Sequence, residues 1–240
     1  MSCPICGGIE VSLGTVPFDR NNAGVPVVNM TPMEYHRCTT CNFIYCAEML
    51  AWTPEDLGAK VYNEEYIKYD PDYTGLRPRN YADYFCAAIP PSKAKTFRHL
   101  DYGSGQGIMC DELNKRGWNS APYDPYSHKE PPVGKFKLIT AIEVFEHSLN
   151  VDNTIKDIVQ YLDRGGVIIF STQLADFNTT IDWWYIGARN GHISILSALS
   201  MKMLAIRNNL YFSSLNQGIH ILQRNRRDAH NLLGFDHYGR

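Results

Sequence analysis

Four cysteines stand in two pairs, Cys3-Pro4-Ile5-Cys6 and Cys38-Thr39-Thr40-Cys41. Two residues between thiolates let one tight turn aim both sulfurs at a single ion. Two such turns complete a tetrahedron suited to Zn2+, with no position left for water. Cys3, Cys6, Cys38 and Cys41 therefore read as the ligands of a structural zinc ion, with four metal-free thiols as the alternative. Cys46, Cys86 and Cys110 lack partners at ligand spacing and read as small apolar fillers. His36, two residues before Cys38, reads as a loop histidine.

A second chemical signal is Phe97-Arg98-His99-Leu100-Asp101-Tyr102-Gly103-Ser104-Gly105-Gln106-Gly107. Gly103, Gly105 and Gly107 alternate, so the backbone can turn sharply and a ligand can lie directly against main-chain N–H groups. The spacing is not the dinucleotide fingerprint, whose third glycine would fall at Ile108. It is D-x-G-x-G-x-G, opened by Asp101. Asp124 follows about 20 residues later, where an acid ending a second strand can accept both hydroxyls of a ribose. Read alone, an Asp before Pro125 is a turn residue.

These groups need elements to hold them. A short strand ends at Asp101, and Ile108–Lys115 can continue as a helix behind the glycine loop. An apolar strand through Leu138 and Ile139 runs into Glu143-Val144-Phe145-Glu146-His147. Asn150 or Asp152 can cap a helix ending near Tyr161, and Leu162-Asp163-Arg164-Gly165-Gly166 leads into a strand ending at Ser171. Residues 197–208 read as an amphipathic helix, followed by strands at 211–215 and 218–223. Further upstream, residues 48–91 are dense in tyrosine (Tyr62, Tyr66, Tyr69, Tyr73, Tyr81 and Tyr84), which either pack or form a cap over a pocket. Thr53-Pro54-Glu55-Asp56 reads as an N-cap with proline at the first helical position, and residues 79–88 as a second helix. The turn formers Asp19, Asn21, Asn22, Gly24 and Pro26 leave room for a hairpin between the cysteine pairs. The last dozen residues are expected to fray or to dock on a partner.

The 240 residues suffice for one α/β domain plus a small appendage, and 44% apolar content supplies a core. A formal net charge of -2 argues against a protein built to grip phosphate backbones. Met1-Ser2-Cys3-Pro4 opens directly into a cysteine pair, which is not a signal peptide. No stretch approaches the roughly 20 apolar residues of a membrane span. Paired C-x-x-C units without an export signal give the expectation of a cytoplasmic protein with no membrane partner.

In this order, the D-x-G-x-G-x-G loop, Asp124, the E-x-x-E-H stretch at 143–147 and the helix–Gly-Gly–strand element resemble the class I S-adenosylmethionine-dependent methyltransferases, over residues 96–223. The resemblance implies an α/β fold with a Rossmann-like doubly wound sheet, preceded by a zinc-ribbon-like module. It also implies S-adenosyl-L-methionine as cofactor. The Asp101 region would contact the methionine moiety, Gly103, Gly105 and Gly107 would allow close backbone approach, and Glu143 would lie beside the cofactor. The expected segments are a zinc-ribbon-like module at 1–47, a helical, aromatic connector or cap at 48–92 and a cofactor-binding domain at 93–240. One departure stands out. Residues 126–135 are short and proline-rich where the family fits another strand and helix carrying an adenine contact.

Methyl transfer to oxygen, nitrogen or carbon needs donor and nucleophile held in line, and a base for a hydroxyl or carbon acid. His147 and His192 are the candidates. His192 lies in Asp182-Trp183-Trp184-Tyr185-Ile186-Gly187-Ala188-Arg189-Asn190-Gly191-His192, similar to the aromatic–Gly-His segment of methyltransferases near saccharide and nucleotide-sugar pathways. Some sugar C-methyltransferases have Glu-His there, whereas Gly191 precedes His192 here. The alternatives are a loop histidine bonded to backbone at 192 and a histidine that orders the cofactor pocket at 147. Trp183 and Trp184 suit a sugar face or core packing equally. The expected acceptor is a small polar molecule, first a saccharide or nucleotide sugar. Rivals are an RNA or protein methyltransferase gripping its target through the zinc module, and a non-catalytic binding protein on the same fold. Nucleic acid is disfavoured because Arg37 is the only Lys or Arg between Asn21 and Cys41. Nothing in the sequence assigns an oligomeric state.

Overall fold

The structure is a computed structural model that describes residues 2–234. In chain order its elements are β1 (Glu10–Pro17), β2 (Pro32–Cys38), β3 (Ile44–Cys46), α1 (Ala47–Leu50), α2 (Pro54–Lys60), α3 (Tyr66–Tyr69), α4 (Leu76–Ala88) and α5 (Pro91–Ala94). There follow β4 (Arg98–Tyr102), α6 (Ile108–Lys115), β5 (Asn119–Tyr123), β6 (Phe136–Ile142), a 3-10 turn at Phe145–His147, α7 (Val151–Tyr161) and β7 (Leu162–Ser171). The chain closes with β8 (Ser194–Ile195), α8 (Ala198–Arg207), β9 (Tyr211–Ser214), β10 (Ile219–Gln223) and α9 (Asp228–Leu233). Two compact units emerge: Met1–Pro71 with Phe145–Thr154 and Gln173–Leu204, and Asp72–Val144 with Ile155–Thr172 and Ala205–Arg240.

The first unit is built on an antiparallel sheet in the order β1-β2-β3-β8. β1 and β2 form the hairpin expected between the cysteine pairs, in register from Glu10↔Cys38 to Pro17↔Pro32. The turn formers close it: Asp19 Oδ2 accepts from the Val28 and Asn29 amides, and Asn21 Oδ1 from those of Ala23 and Val25. β3 is fully buried and pairs with β8 through Ile44↔Ile195 and Tyr45↔Ser194. α2 starts with the expected cap. Thr53 Oγ1 accepts from the Asp56 amide, and Asp56 accepts from the Thr53 amide, both at 3.1 Å.

The second unit holds a six-stranded sheet in the order β5-β4-β6-β7-β10-β9. β5, β4, β6 and β7 are parallel, and the β9–β10 hairpin closes one edge antiparallel. This is the mixed α/β sheet the sequence implied. The short segment before β6 contains no strand, so β5 is an edge. Leu138, Val167, Ile169 and Ile221 share one face and pack with Ala82 and Phe85 of α4, Met109 and Leu113 of α6, and Ala229 and Leu233 of α9. Leu100, Ile139, Ile168, Phe170 and Leu222 alternate onto the other face and are buried as well. Burial on both faces explains the continuous apolar runs of these strands; each such side chain contributes roughly 1.5–3 kcal/mol. The Gly165-Gly166 pair does not turn between helix and strand as the sequence suggested. It lies inside β7 at an irregularity where Leu162 pairs Phe136 and Val167 pairs Leu138. Of the last dozen residues, 229–233 belong to α9, with Ala229 and Leu233 buried, and 235–240 lie outside the described residues.

Candidate functional site

In the second unit, the carboxyl ends of three neighbouring parallel strands carry the acids singled out from the sequence. Asp101 is the penultimate residue of β4, Asp124 directly follows β5 and Glu143 directly follows β6. The chain turns from β4 into α6 through Gly103, Gly105 and Gly107, all at positive φ (77, 53 and 76°). L side chains avoid this region, and a Cβ at Gly103 would lie 2.5 Å from Val144 Cγ2. Asp124 braces the loop. Its Oδ2 accepts from the Gly105 amide (3.0 Å), and its Oδ1 from the Tyr126 and Ser127 amides (2.8 and 2.9 Å). His128 Nδ1 donates to the Gly105 carbonyl at 2.9 Å, so the loop is fixed on both sides.

Asp101 is 4% exposed, and burial pushes its carboxyl up to about 7, with the Asp124 charge acting in the same direction. Beneath it runs a chain of buried polar side chains. The Thr140 hydroxyl donates to Asp101 Oδ1 at 2.8 Å, which leaves its oxygen to accept from His99 Nε2 at 2.9 Å. Burial lowers His99 to about 3, so the ring is neutral, and its Nδ1 accepts from Ser120 Oγ at 2.7 Å. The sequence reading missed this chain. Its signal was a histidine and a threonine inside apolar strands, in register at His99↔Leu138 and Asp101↔Thr140.

Glu143 has φ 53°, an uncommon conformation for a residue with a side chain and one that clusters at functional sites. Ser171 holds it there: the Glu143 amide donates to Ser171 Oγ (3.0 Å), and that hydroxyl donates to Glu143 Oε1 (2.7 Å).

In the first unit the four predicted thiols converge, with one sulfur from each within 4.8 Å of the others. Cys3 Sγ lies 3.6 Å from Cys41 Sγ, and Cys6 Sγ lies 3.4 Å from Cys38 Sγ. A disulfide would bring two sulfurs to about 2.05 Å. A zinc tetrahedron with bonds of about 2.3 Å has edges of about 3.8 Å, so the donor set fits a zinc ion. The Gly8 amide donates to Cys6 Sγ and the Thr40 and Cys41 amides to Cys38 Sγ, each at 3.4 Å.

The same unit brings His147 and His192 together, with ring centroids 5.1 Å apart. His147 Nδ1 donates to the Gly191 carbonyl (3.0 Å) and His192 Nδ1 to the Tyr185 carbonyl (2.5 Å). The backbone bond expected of a loop histidine at 192 is therefore present. Fully buried Glu146 joins them, its Oε1 accepting from the Tyr185 hydroxyl at 2.6 Å. Glu146 was legible beside His147 but unassigned, and Tyr185 gave no signal among its aromatic neighbours. Several tyrosines of the connector pack here. The Tyr66 hydroxyl donates to the Asn190 carbonyl, Asn190 Nδ2 to the Tyr69 carbonyl, and Arg189 stacks over Tyr69 at 4.1 Å. Trp183 is half-buried, and Trp184 is exposed.

The methyltransferase domain family matches residues 73–214, more than half of the chain. No curated protein matches it. Among solved structures, an O-methyltransferase family protein from Burkholderia thailandensis is similar in fold, with TM-score 0.51 and 8% identity over 74% of this chain and 66% of that one. The chain thus spans just under two thirds of that protein's length. A magnesium protoporphyrin IX methyltransferase from Synechocystis with bound SAH gives TM-score 0.43 and 13% identity over 73% of this chain and 95% of that one. A possible histamine N-methyltransferase from Thermotoga maritima gives 0.39 and 12% over 61% and 95%. No helix among the described residues is long and apolar enough to cross a membrane.

Proposed function

The chain belongs to the methyltransferase domain family, and on that premise we propose that it is an enzyme moving a methyl group from S-adenosylmethionine to a small polar acceptor, first a saccharide or nucleotide sugar. The observation that carries the cofactor assignment is the set of acids and glycines at the carboxyl ends of β4, β5 and β6. In open α/β sheets ligands bind outside that edge, where the strand order reverses, and the order β5-β4-β6 reverses at β4. When bound, S-adenosylmethionine supplies an electrophilic methyl group on a sulfonium sulfur.

The chain's own residues have separable tasks. The Asp101 carboxyl pairs with the cation of the methionine moiety. Gly103, Gly105 and Gly107, with no side chains, let the ligand lie close against the backbone of the loop. Asp124 holds the loop through Gly105 and retains one lone pair, on Oδ2, for a ribose hydroxyl, and Glu143 lines the cofactor. His147 and His192 engage the acceptor. Since a carbonyl oxygen can only accept, each ring donates from Nδ1 and is held in a fixed orientation. Cys3, Cys6, Cys38 and Cys41 hold a structural zinc ion, a use of thiols that suits a reducing, cytoplasmic setting.

Calorimetric titration with S-adenosylmethionine, S-adenosylhomocysteine and NAD tests the assignment. Saturable binding of the first two and none of NAD is expected. Silence from all three in folded, zinc-loaded protein would leave a binding protein on the same fold.

A further inference from the structure

Tyr185 orients two members of one cluster. Its hydroxyl fixes the Glu146 carboxylate, and its carbonyl fixes the His192 ring. The third member, His147, is held by the carbonyl of Gly191, which has φ 83° and whose missing Cβ would meet His147 Nδ1 at 3.1 Å. One ligating atom from each of Glu146, His147 and His192 lies within 4.8 Å of the other two. Glu146 and His192 are buried, and His147 is half-buried.

We propose that Glu146, His147 and His192 form a second metal site, for a divalent first-row cation, separate from the four thiolates. Three features carry it. The donor set, two imidazoles and one carboxylate, is that of metal centres which keep an open position. Both histidines are held through Nδ1 by a backbone carbonyl. This is the outer-shell arrangement typical of histidine ligands. Two ligands about 2.1 Å from one ion stand about 3.4 Å apart at a tetrahedral angle, so with separations within 4.8 Å each pair closes on a cation by a shift of at most about 1.4 Å.

The open position suits an oxygen donor, and a hydroxyl coordinated there would release its proton to solvent more readily. That consequence rests on the methyl-transfer reading; the site itself does not.

The test is titration of zinc-loaded protein with Co2+, the thiolate site being filled beforehand. About one equivalent is expected to bind, with visible absorption and without the near-ultraviolet band of thiolate-bound cobalt. His147→Gln and Glu146→Gln are expected to abolish this uptake. Tyr185→Phe, which leaves every donor atom in place, is expected to weaken it about 10–100-fold. Circular dichroism and S-adenosylhomocysteine binding show whether each variant is folded. No uptake at millimolar Co2+, a thiolate band, or uptake unchanged in both His147→Gln and Tyr185→Phe would overturn the proposal. S-adenosylhomocysteine binding without cobalt binding would sink this site alone and leave the cofactor reading standing.

Discussion

Lowering the pH from 7 to 5 should weaken S-adenosylmethionine binding through one carboxyl group. Asp101 is buried, and its folded value of about 7 stands far above the ordinary 3.8, so the ligand-free protein holds it mostly neutral below neutrality. A cationic amino group laid against it favours the ionised form, and binding must then release a proton. The sign follows: affinity rises with pH until Asp101 is ionised without help. With the complex fully ionised, affinity falls about fivefold from pH 7 to 6 and about 50-fold from pH 7 to 5. The range stops at 7 because the α-amino group of the ligand begins to lose its own proton near 7.7. Calorimetry at pH 6 in two buffers of different ionisation enthalpy should report about 0.9 proton released per ligand bound. His128 also touches the loop, so Asp101→Asn assigns the slope: the variant should bind weakly and with little pH dependence. Flat wild-type affinity between pH 5 and 7, or a slope that survives in Asp101→Asn, refutes the reasoning.

The same burial has a cost in the ligand-free fold. Because the folded value is raised, the native state binds the extra proton, and stability is lost as pH climbs from about 4 to about 7, by about 4 kcal/mol in all. Asp101→Asn should thus resist urea better than wild type at pH 8 and show a smaller advantage at pH 5. Thr140→Val removes the donor to Asp101 and the acceptor of His99 together; a loss of about 1–3 kcal/mol is expected from urea midpoints, and an unchanged midpoint would dismiss the buried chain as incidental. Gly103→Ala puts a Cβ into Val144 at a left-handed position and should cost at least tenfold in S-adenosylhomocysteine affinity with the far-ultraviolet spectrum retained. Removing zinc with a chelator should lower the melting temperature and expose four thiols to titration, whereas Cys38→Ser should retain less than one zinc by elemental analysis.

How much of this was legible in the sequence depended on how far each signal reached along the chain. The N-cap at Thr53, the helix behind Gly107 and the β9–β10 hairpin are local, and each was readable from spacing and turn chemistry. The acids at 101, 124 and 143 were readable because a parallel sheet repeats its strand ends at regular intervals. β8 was not. It is two residues long, and its pairing with β3 joins Ser194 to Tyr45 across the chain, which neither periodicity nor propensity encodes. The Glu146–Tyr185–His192 cluster shares that origin, since Ile193 donates its amide to the Glu146 carbonyl only after distant segments meet. The polar chain under Asp101 was hidden for another reason. Single polar residues in apolar strands look like noise until strand register stacks them.

The open β5 edge has a consequence for solubility. An unpaired strand is a template on which another chain can add. Tyr123 turns its carbonyl inward to the Gly103 amide, so the backbone groups of the preceding residue face out. That residue is Pro122, which has no N–H to offer. The edge that a further strand would have covered is short, lacks a donor at its outward position and is followed at once by the turn from Asp124 to His128. Self-association through sheet extension is discouraged there by sequence, and new chain inserted after Asp124 would be accommodated more readily as a loop than as a seventh strand.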